Sequence, residues 1–196
     1  TGAMSVGSGE QALLSSGCAQ MHAFYGLPGG AAGGASDSKM PDMQAGWEQM
    51  CSNVMAGLSG LNMVYEAAGM HSSLLGFCHE SLILSNDLIG QAMRCVRGIE
   101  VNDETLALDQ IASVCMDGPG HYLGTEQTLG RMEIDHVYPA FGDRTSPKEW
   151  SELGKPVLVE KAKARKEEIL ETRSTARFDV ALDRELRSRF KIHLPS

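Results

Sequence analysis

A length of 196 residues, with 42% hydrophobic, 21% charged and 6% aromatic residues and a formal net charge of -8, suits one domain or part of a larger one. That apolar content, with a mean hydropathy of -0.17, excludes disorder along most of the chain, and no apolar run reaches the roughly 18 residues of a membrane span. Residues 1–154 hold 6 Lys/Arg against 18 Asp/Glu, which excludes a nucleic-acid binder working through a basic face, whereas residues 155–196 hold 11 against 7.

In chain order, Glu10 to Tyr25 predicts a helix with Leu13, Leu14, Cys18, Met21 and Phe24 along one side. Gly26-Leu27-Pro28 stops it, since glycine closes a helix and proline cannot extend one. The run from Gly29 to Ala35 reads either as a flexible linker or as a strand with tiny side chains. A second helix begins at Pro41-Asp42, with proline in the first turn and an apolar face from Met43 and Trp47 to Leu58. Leu61 to Tyr65 reads as a buried strand, so helix and strand alternate as in a parallel α/β sheet. From residue 79 the texture is wholly helical. Glu80 to Arg97 ends at Gly98, Asn102-Asp103 caps the next helix, and Gly118 to His121 is a turn. Ser146-Pro147-Lys148-Glu149 has capping-box spacing that puts Trp150 on a helix, and residues 155–190 predict one or two charged helices.

Generic motifs are absent. Gly29 to Gly34 lacks the strand–GxGxxG–helix frame, and Gly7-Ser8-Gly9 lacks the five-residue nucleophile elbow. His71 and His79 stand eight residues apart with only Cys78 and Asp87 near in sequence, so zinc, or a metal hydrolase built on His71, His79 and Asp87, is disfavoured. Five cysteines in scattered apolar contexts, without a recognisable secretory leader, point to a reducing cytoplasm rather than a disulfide framework. The informative cluster is Ser36-Asp37-Ser38-Lys39. Ligands in α/β sheets bind at the carboxyl ends of strands, so these residues and Tyr65-Glu66 would share one rim. The alternative is plainer: Asp37 and Ser38 cap the following helix, Lys39 is solvated, and Tyr65 is a packed strand-end aromatic.

The stretches from Val6 to Ser8, Phe24 to Pro28, Ser36 to Asp42 and Gln44 to Glu48 resemble the trimethylamine methyltransferase (MttB-like) family. Gly98 to Ala107, Gly118 to Leu123 and Asp143-Arg144 are similar too, in the same order over nearly the whole chain. The resemblance implies an α/β fold: residues 1–78 as the last strands and helices of a (β/α)8 TIM barrel, residues 79–196 as a mainly helical C-terminal extension. It also implies a corrinoid-dependent methyltransferase, moving a methyl group from a methylated amine to Co(I) on a separate corrinoid protein.

Trimethylamine enzymes of that family carry pyrrolysine in the loop equivalent to Gly34-x-Ser36-Asp37, where this chain has Ala35. A quaternary ammonium leaves as a neutral amine without such activation, so Ala35 points to a quaternary amine such as a betaine. Asp37 becomes the candidate catalytic residue, holding the cation by negative potential. Ala35, Ser36, Lys39, Tyr65, Glu66, His71 and Tyr122 become candidate substrate contacts: Tyr65 and Tyr122 as aromatic walls, Lys39 or His71 as partners of a substrate carboxylate. The small residues Gly29 to Ala35 are expected to leave the barrel mouth open for the corrinoid. No metal or tightly bound cofactor is expected in the chain itself. The expected partners are a corrinoid protein, the amine and further copies of the chain, with no nucleic acid or membrane. The isolated chain is expected to be inactive. A non-catalytic helical binding or oligomerisation module is the competing reading.

Overall fold

The computed structural model describes residues 4–116, 118–172 and 179–193. The first helix, α1 (Gly9–Tyr25), starts where the Ser8 hydroxyl accepts the Gln11 amide and ends at Gly26, whose φ of 66° is the left-handed turn that glycine adopts without penalty. The glycine-rich run is a strand, β1 (Gly30–Ala32). Helix α2 (Met43–Leu58) is capped by Asp42, which accepts the Ala45 amide at 2.9 Å, so Pro41 precedes the cap and does not occupy the first turn. Strand β2 (Met63–Tyr65) pairs with β1 in parallel, Gly30 opposite Met63 and Ala32 opposite Tyr65. Asn62 locks the entry to this pair, its side chain accepting the Gly29 amide at 2.9 Å.

A short antiparallel hairpin, β3 (Met70–His71) and β4 (Gly76–Phe77), follows. Its turn carries Ser72, Ser73 and Leu74 at φ of 53°, 54° and 72°. Left-handed backbone costs about 1–2 kcal/mol per non-glycine residue, and the turn is held by long-range bonds from Ser72 N to Ser38 O (2.9 Å) and from Ser73 N to Ser36 O (3.2 Å). Every further element among the described residues is helical: α3 (His79–Arg97), α4 (Asp103–Leu106), α5 (Leu108–Cys115), α6 (Glu126–Asp135), α7 (Pro147–Glu152), α8 (Leu158–Thr172) and α9 (Val180–Arg189). The stretch after Asn102 is two helices because Ala107 turns left-handed at φ 51°. The capping box at Ser146 forms as the spacing predicts, with Trp150 inside α7. The Gly118–His121 stretch makes no helix or strand.

Helix α3 is the spine of the helical part. It packs on α2 on one side and α8 on another. Near its middle, the Asp87 carboxylate accepts the backbone amides of Ala140, Phe141 and Gly142 at 2.9, 2.7 and 3.0 Å. Partial burial pushes the Asp87 carboxyl up, but these three bonds and the nearby Lys161 outweigh it and hold the group below its usual range. At its end, Arg94 and Arg97, with Arg131, surround Asp135 at 3.3–3.7 Å.

Packing differs from the periodicity on α1, α2 and β2: Met43, Trp47 and Leu58 of the predicted α2 face are exposed, as are Met63 and Tyr65 of the strand expected to be buried. Leu13, Leu14, Cys18, Met21 and Phe24 all face solvent, Phe24 being 78% exposed, while Ala12, Ser15 and Ala19 form the buried face of α1. Ala45 and Ala56 of α2, Ala92 of α3 and Ala162 of α8 are buried likewise. Small residues bring helix axes close together, and the bulky stripe of α1 finds no cover among the described residues. No helix among the described residues is long and apolar enough to cross a membrane, and all five cysteines are free.

Candidate functional site

The loop between β1 and α2 emerges from the carboxyl end of the parallel pair, and its backbone is stitched down along its whole length. Gly34, at φ 71°, donates its amide to Ser52 Oγ at 2.8 Å. Its missing side chain makes room for the backbone of Ala67: a Cβ there would fall on the Ala67 carbonyl oxygen and stand 2.6 Å from Asn53 Nδ2. Ser36, wholly buried, donates its hydroxyl to Glu48 Oε2 at 2.6 Å and accepts the Ser38 amide at 2.9 Å. Glu48 Oε2 also accepts the Asp37 amide at 2.8 Å, while Gln44 donates to Glu48 Oε1 at 2.9 Å. Gly7 completes this packing, since a Cβ at that position would stand 2.5 Å from Glu48 Oε2.

Asp37 is thereby turned away from α2, which Asp42 caps instead. Its carboxylate accepts Ser5 Oγ at 2.6 Å, Ser73 Oγ at 2.5 Å and the Gly7 amide at 3.4 Å. Partial burial raises its pKa, but the hydroxyls of Ser5 and Ser73 and the amides of Gly7 and Val6 outweigh that and keep the carboxyl below its ordinary value. Lys39 is exposed, and its ammonium donates to the Asp37 backbone carbonyl at 2.7 Å rather than to the carboxylate. No ion pair to Asp37 occurs among the described residues. The half-buried loop thus carries an ionised carboxylate, dressed by neutral donors only.

The other predicted residues divide into those that join this loop and those that do not. Ala35 is buried beneath it. Tyr65, 48% exposed, closes the strand paired with β1, and Glu66 follows it at φ 60°, exposed. His71 is only 3% exposed and committed on both sides, with Nδ1 3.2 Å from the Ser38 carbonyl and Nε2 2.6 Å from the Ser81 hydroxyl. Because a carbonyl only accepts, these partners assign the proton to Nδ1, with Ser81 donating to Nε2. His71 therefore braces the loop from within. Tyr122 lies in a different part of the chain, its hydroxyl 3.3 Å from Cys115 Sγ. His71 and Asp87 have separate partners, and no group of three His, Cys, Asp or Glu side chains suited to a metal occurs among the described residues.

Part of the glycine run is closely packed: Gly33, Gly34 and Ala35 are buried, and a Cβ on Gly33 would stand 2.7 Å from Val64 Cγ1, whereas Gly30 is exposed. A Cβ on Gly29 would fall on the ring of His22. Close packing uses up the space that these residues save. Ser5, Ser52, Ser73 and Glu48 join the site only in the folded chain. The sequence holds one signal for part of this set, because Gln44, Glu48 and Ser52 recur every four residues and share a face of α2. A cavity of about 530 Å³ opens elsewhere, between α2, α3 and α8, with walls that include Met43, Met50, Leu84, Leu88 and Leu158.

The parallel strand–helix–strand unit β1–α2–β2 carries its polar loop at the carboxyl end of its first strand, where ligands gather in open α/β sheets. Residues 1–192 match the family described as Trimethylamine methyltransferase (MTTB), and the chain belongs to that family. It is 31% identical over 189 residues to the glycine betaine methyltransferase of Desulfitobacterium hafniense, covering 96% of this chain and 39% of that protein. It is 32% identical over 188 residues to the trimethylamine methyltransferase MttB of Methanosarcina barkeri, covering 95% and 37%. With the trimethylamine methyltransferase MttB1 of Methanosarcina acetivorans the identity is 35% over 162 residues, covering 82% and 32%. The chain thus spans less than two fifths of the length of these relatives.

Proposed function

We propose that this chain is the C-terminal portion of a methyltransferase that moves a methyl group from a quaternary amine, such as a betaine, to Co(I) of a corrinoid carried by a separate protein. In this reading β1–α2 and β2–α3 are units of a (β/α)8 barrel, and the helices after residue 97 form an extension. The observation that carries it is Asp37: an ionised carboxylate with no ion pair among the described residues, on the loop at the carboxyl end of β1. A quaternary ammonium has no N–H to donate, so it is held by negative potential and by aromatic faces. Tyr65, at the end of the adjacent strand, supplies an aromatic face on the same rim. When the methyl carbon is taken, the C–N bond breaks with its electron pair left on nitrogen, and a tertiary amine departs neutral. That step needs no activation of the leaving group, in keeping with Ala35 in the loop. Catalysis then consists of holding the methyl group in line with its acceptor and keeping water out. The exposed stripe of Leu13, Leu14 and Phe24 supports a chain that is covered by further barrel residues or another copy.

The test is methyl transfer to cob(I)alamin, followed by the visible spectrum of methylcobalamin, with the full-length protein and the isolated chain side by side. Glycine betaine, other quaternary amines and trimethylamine are the substrates. Transfer from a quaternary amine by the full-length protein alone is expected. Transfer from trimethylamine only would overturn the substrate reading, and transfer from no amine would overturn the function.

A further inference from the structure

We propose that Glu48 is a positioning residue: it holds the Asp37 loop by the reach of its hydrogen bonds rather than by its charge. The inference deepens, and depends on, the reading of Asp37 as the group that holds the substrate cation. Of three side chains spaced by four along α2, two meet the loop, at Gly34, Ser36 and Asp37, and the third supports one of them. Ser52 Oγ accepts the Gly34 amide (2.8 Å), Glu48 Oε2 accepts both the Ser36 hydroxyl (2.6 Å) and the Asp37 amide (2.8 Å), and Gln44 holds Glu48 from the other side (2.9 Å). Helix α2 is thus a template for the loop, and Glu48 is its central contact. The backbone makes room for it: Gly7 is the residue whose Cβ would stand 2.5 Å from Glu48 Oε2 and 2.8 Å from the Asp37 amide nitrogen. The same Gly7 donates its amide to the Asp37 carboxylate. Glu48 therefore fixes Asp37 through its amide, while Gly7, small enough to lie beside Glu48, meets the carboxylate.

Both loop bonds fall on one oxygen. A glutamine whose amide oxygen took the Oε2 position would keep them, and the Gln44 amide needs only to turn over to meet the new NH2. An aspartate would keep the charge but be one methylene too short to reach both donors. Charge and reach are therefore separable. In the full-length protein, with glycine betaine as the amine, Asp37→Asn is expected to raise KM tenfold or more. Glu48→Asp is expected to raise KM at least tenfold and lower kcat, while Glu48→Gln stays within about threefold. Glu48→Ala is expected to resemble the aspartate variant. If it does not fold, the aspartate–glutamine pair still decides the matter.

Equal losses in Glu48→Asp and Glu48→Gln, or a larger loss in Glu48→Gln, would overturn the proposal, because the charge would then be what counts. Unchanged KM in Glu48→Asp would overturn it too. If Asp37→Asn itself leaves KM unchanged, the reading of Asp37 fails first, which distinguishes that failure from failure of the role given to Glu48.

Discussion

The sharpest structural prediction concerns Gly34, the residue just before the Ala35–Asp37 segment. Substitution by alanine does two things there. It forces a non-glycine residue to φ 71°, at about 1 kcal/mol, and it puts a methyl group onto the Ala67 carbonyl and within 2.6 Å of Asn53 Nδ2. Neither neighbour can yield freely, because Asn53 donates to both Gln49 O (3.0 Å) and Ala67 O (3.3 Å). Relief must come from the loop, which then loses the buried bond from Gly34 N to Ser52 Oγ. A buried donor left unpaired costs about 1–3 kcal/mol. The sum for Gly34→Ala is about 2–4 kcal/mol.

Gly26 provides the control, since it has nearly the same φ, 66°, but a Cβ there meets nothing within 4 Å. Gly26→Ala is expected to cost only the conformational part, about 1 kcal/mol. Urea unfolding of the two variants, compared at unchanged m-value, measures the difference directly. Equal destabilisation by both would refute the claim that the β1–α2 loop is pinned against Ala67.

Three other outcomes follow from the same geometry. Asp87→Ala removes the acceptor of three backbone amides in 140–142 and is expected to cost about 3 kcal/mol in urea unfolding. Asp87→Asn should lose less, because one oxygen remains to accept. Acid sensitivity follows from the depressed carboxyls. Glu80, bound to Lys166 at 2.8 Å, is pulled down by that hydrogen bond from 4.5 to about 2. A folded-state pKa below the unfolded one means that the stabilisation is complete above about pH 4.5 and disappears as the pH falls towards about 2, and the lowered values of Asp37 and Asp87 act in the same sense. An acid-unfolding curve of Glu80→Gln should be flatter than wild type in that window, and superimposable curves would refute the assignment.

Helix ends were legible in the sequence because their chemistry is local. Asn102 and Ser146 each satisfy an amide three residues ahead, so a window of four residues suffices to find them, whereas Ser8 and Asp42 cap α1 and α2 in the same way without that reading, Pro41 drawing the start of α2 too early. The hairpin was not legible, because Ser72, Ser73 and Leu74 give no glycine or Asn-Gly signal for a left-handed turn. That conformation is bought by bonds to residues more than 30 positions away. The apolar stripe of α1 was visible, but amphipathicity reports which face is apolar and not whether the same chain covers it. The glycine run was also visible, but not which of its residues pack tightly, since empty volume in a sequence is equally a place for a neighbour's carbonyl or ring.

The site itself divides along the same line. The rule that ligands gather at the carboxyl ends of strands pointed to Asp37. It could not say which way the carboxylate turns. That depends on Ser5, 32 residues before it, on Ser73, 36 residues after it, and on Glu48 under its amide. Two hydroxyls and backbone amides leave the carboxylate ionised, with no ion pair among the described residues. In the proposed reading, neutral donors around a fixed charge suit a cation that has no N–H to donate, and only the folded chain brings them together.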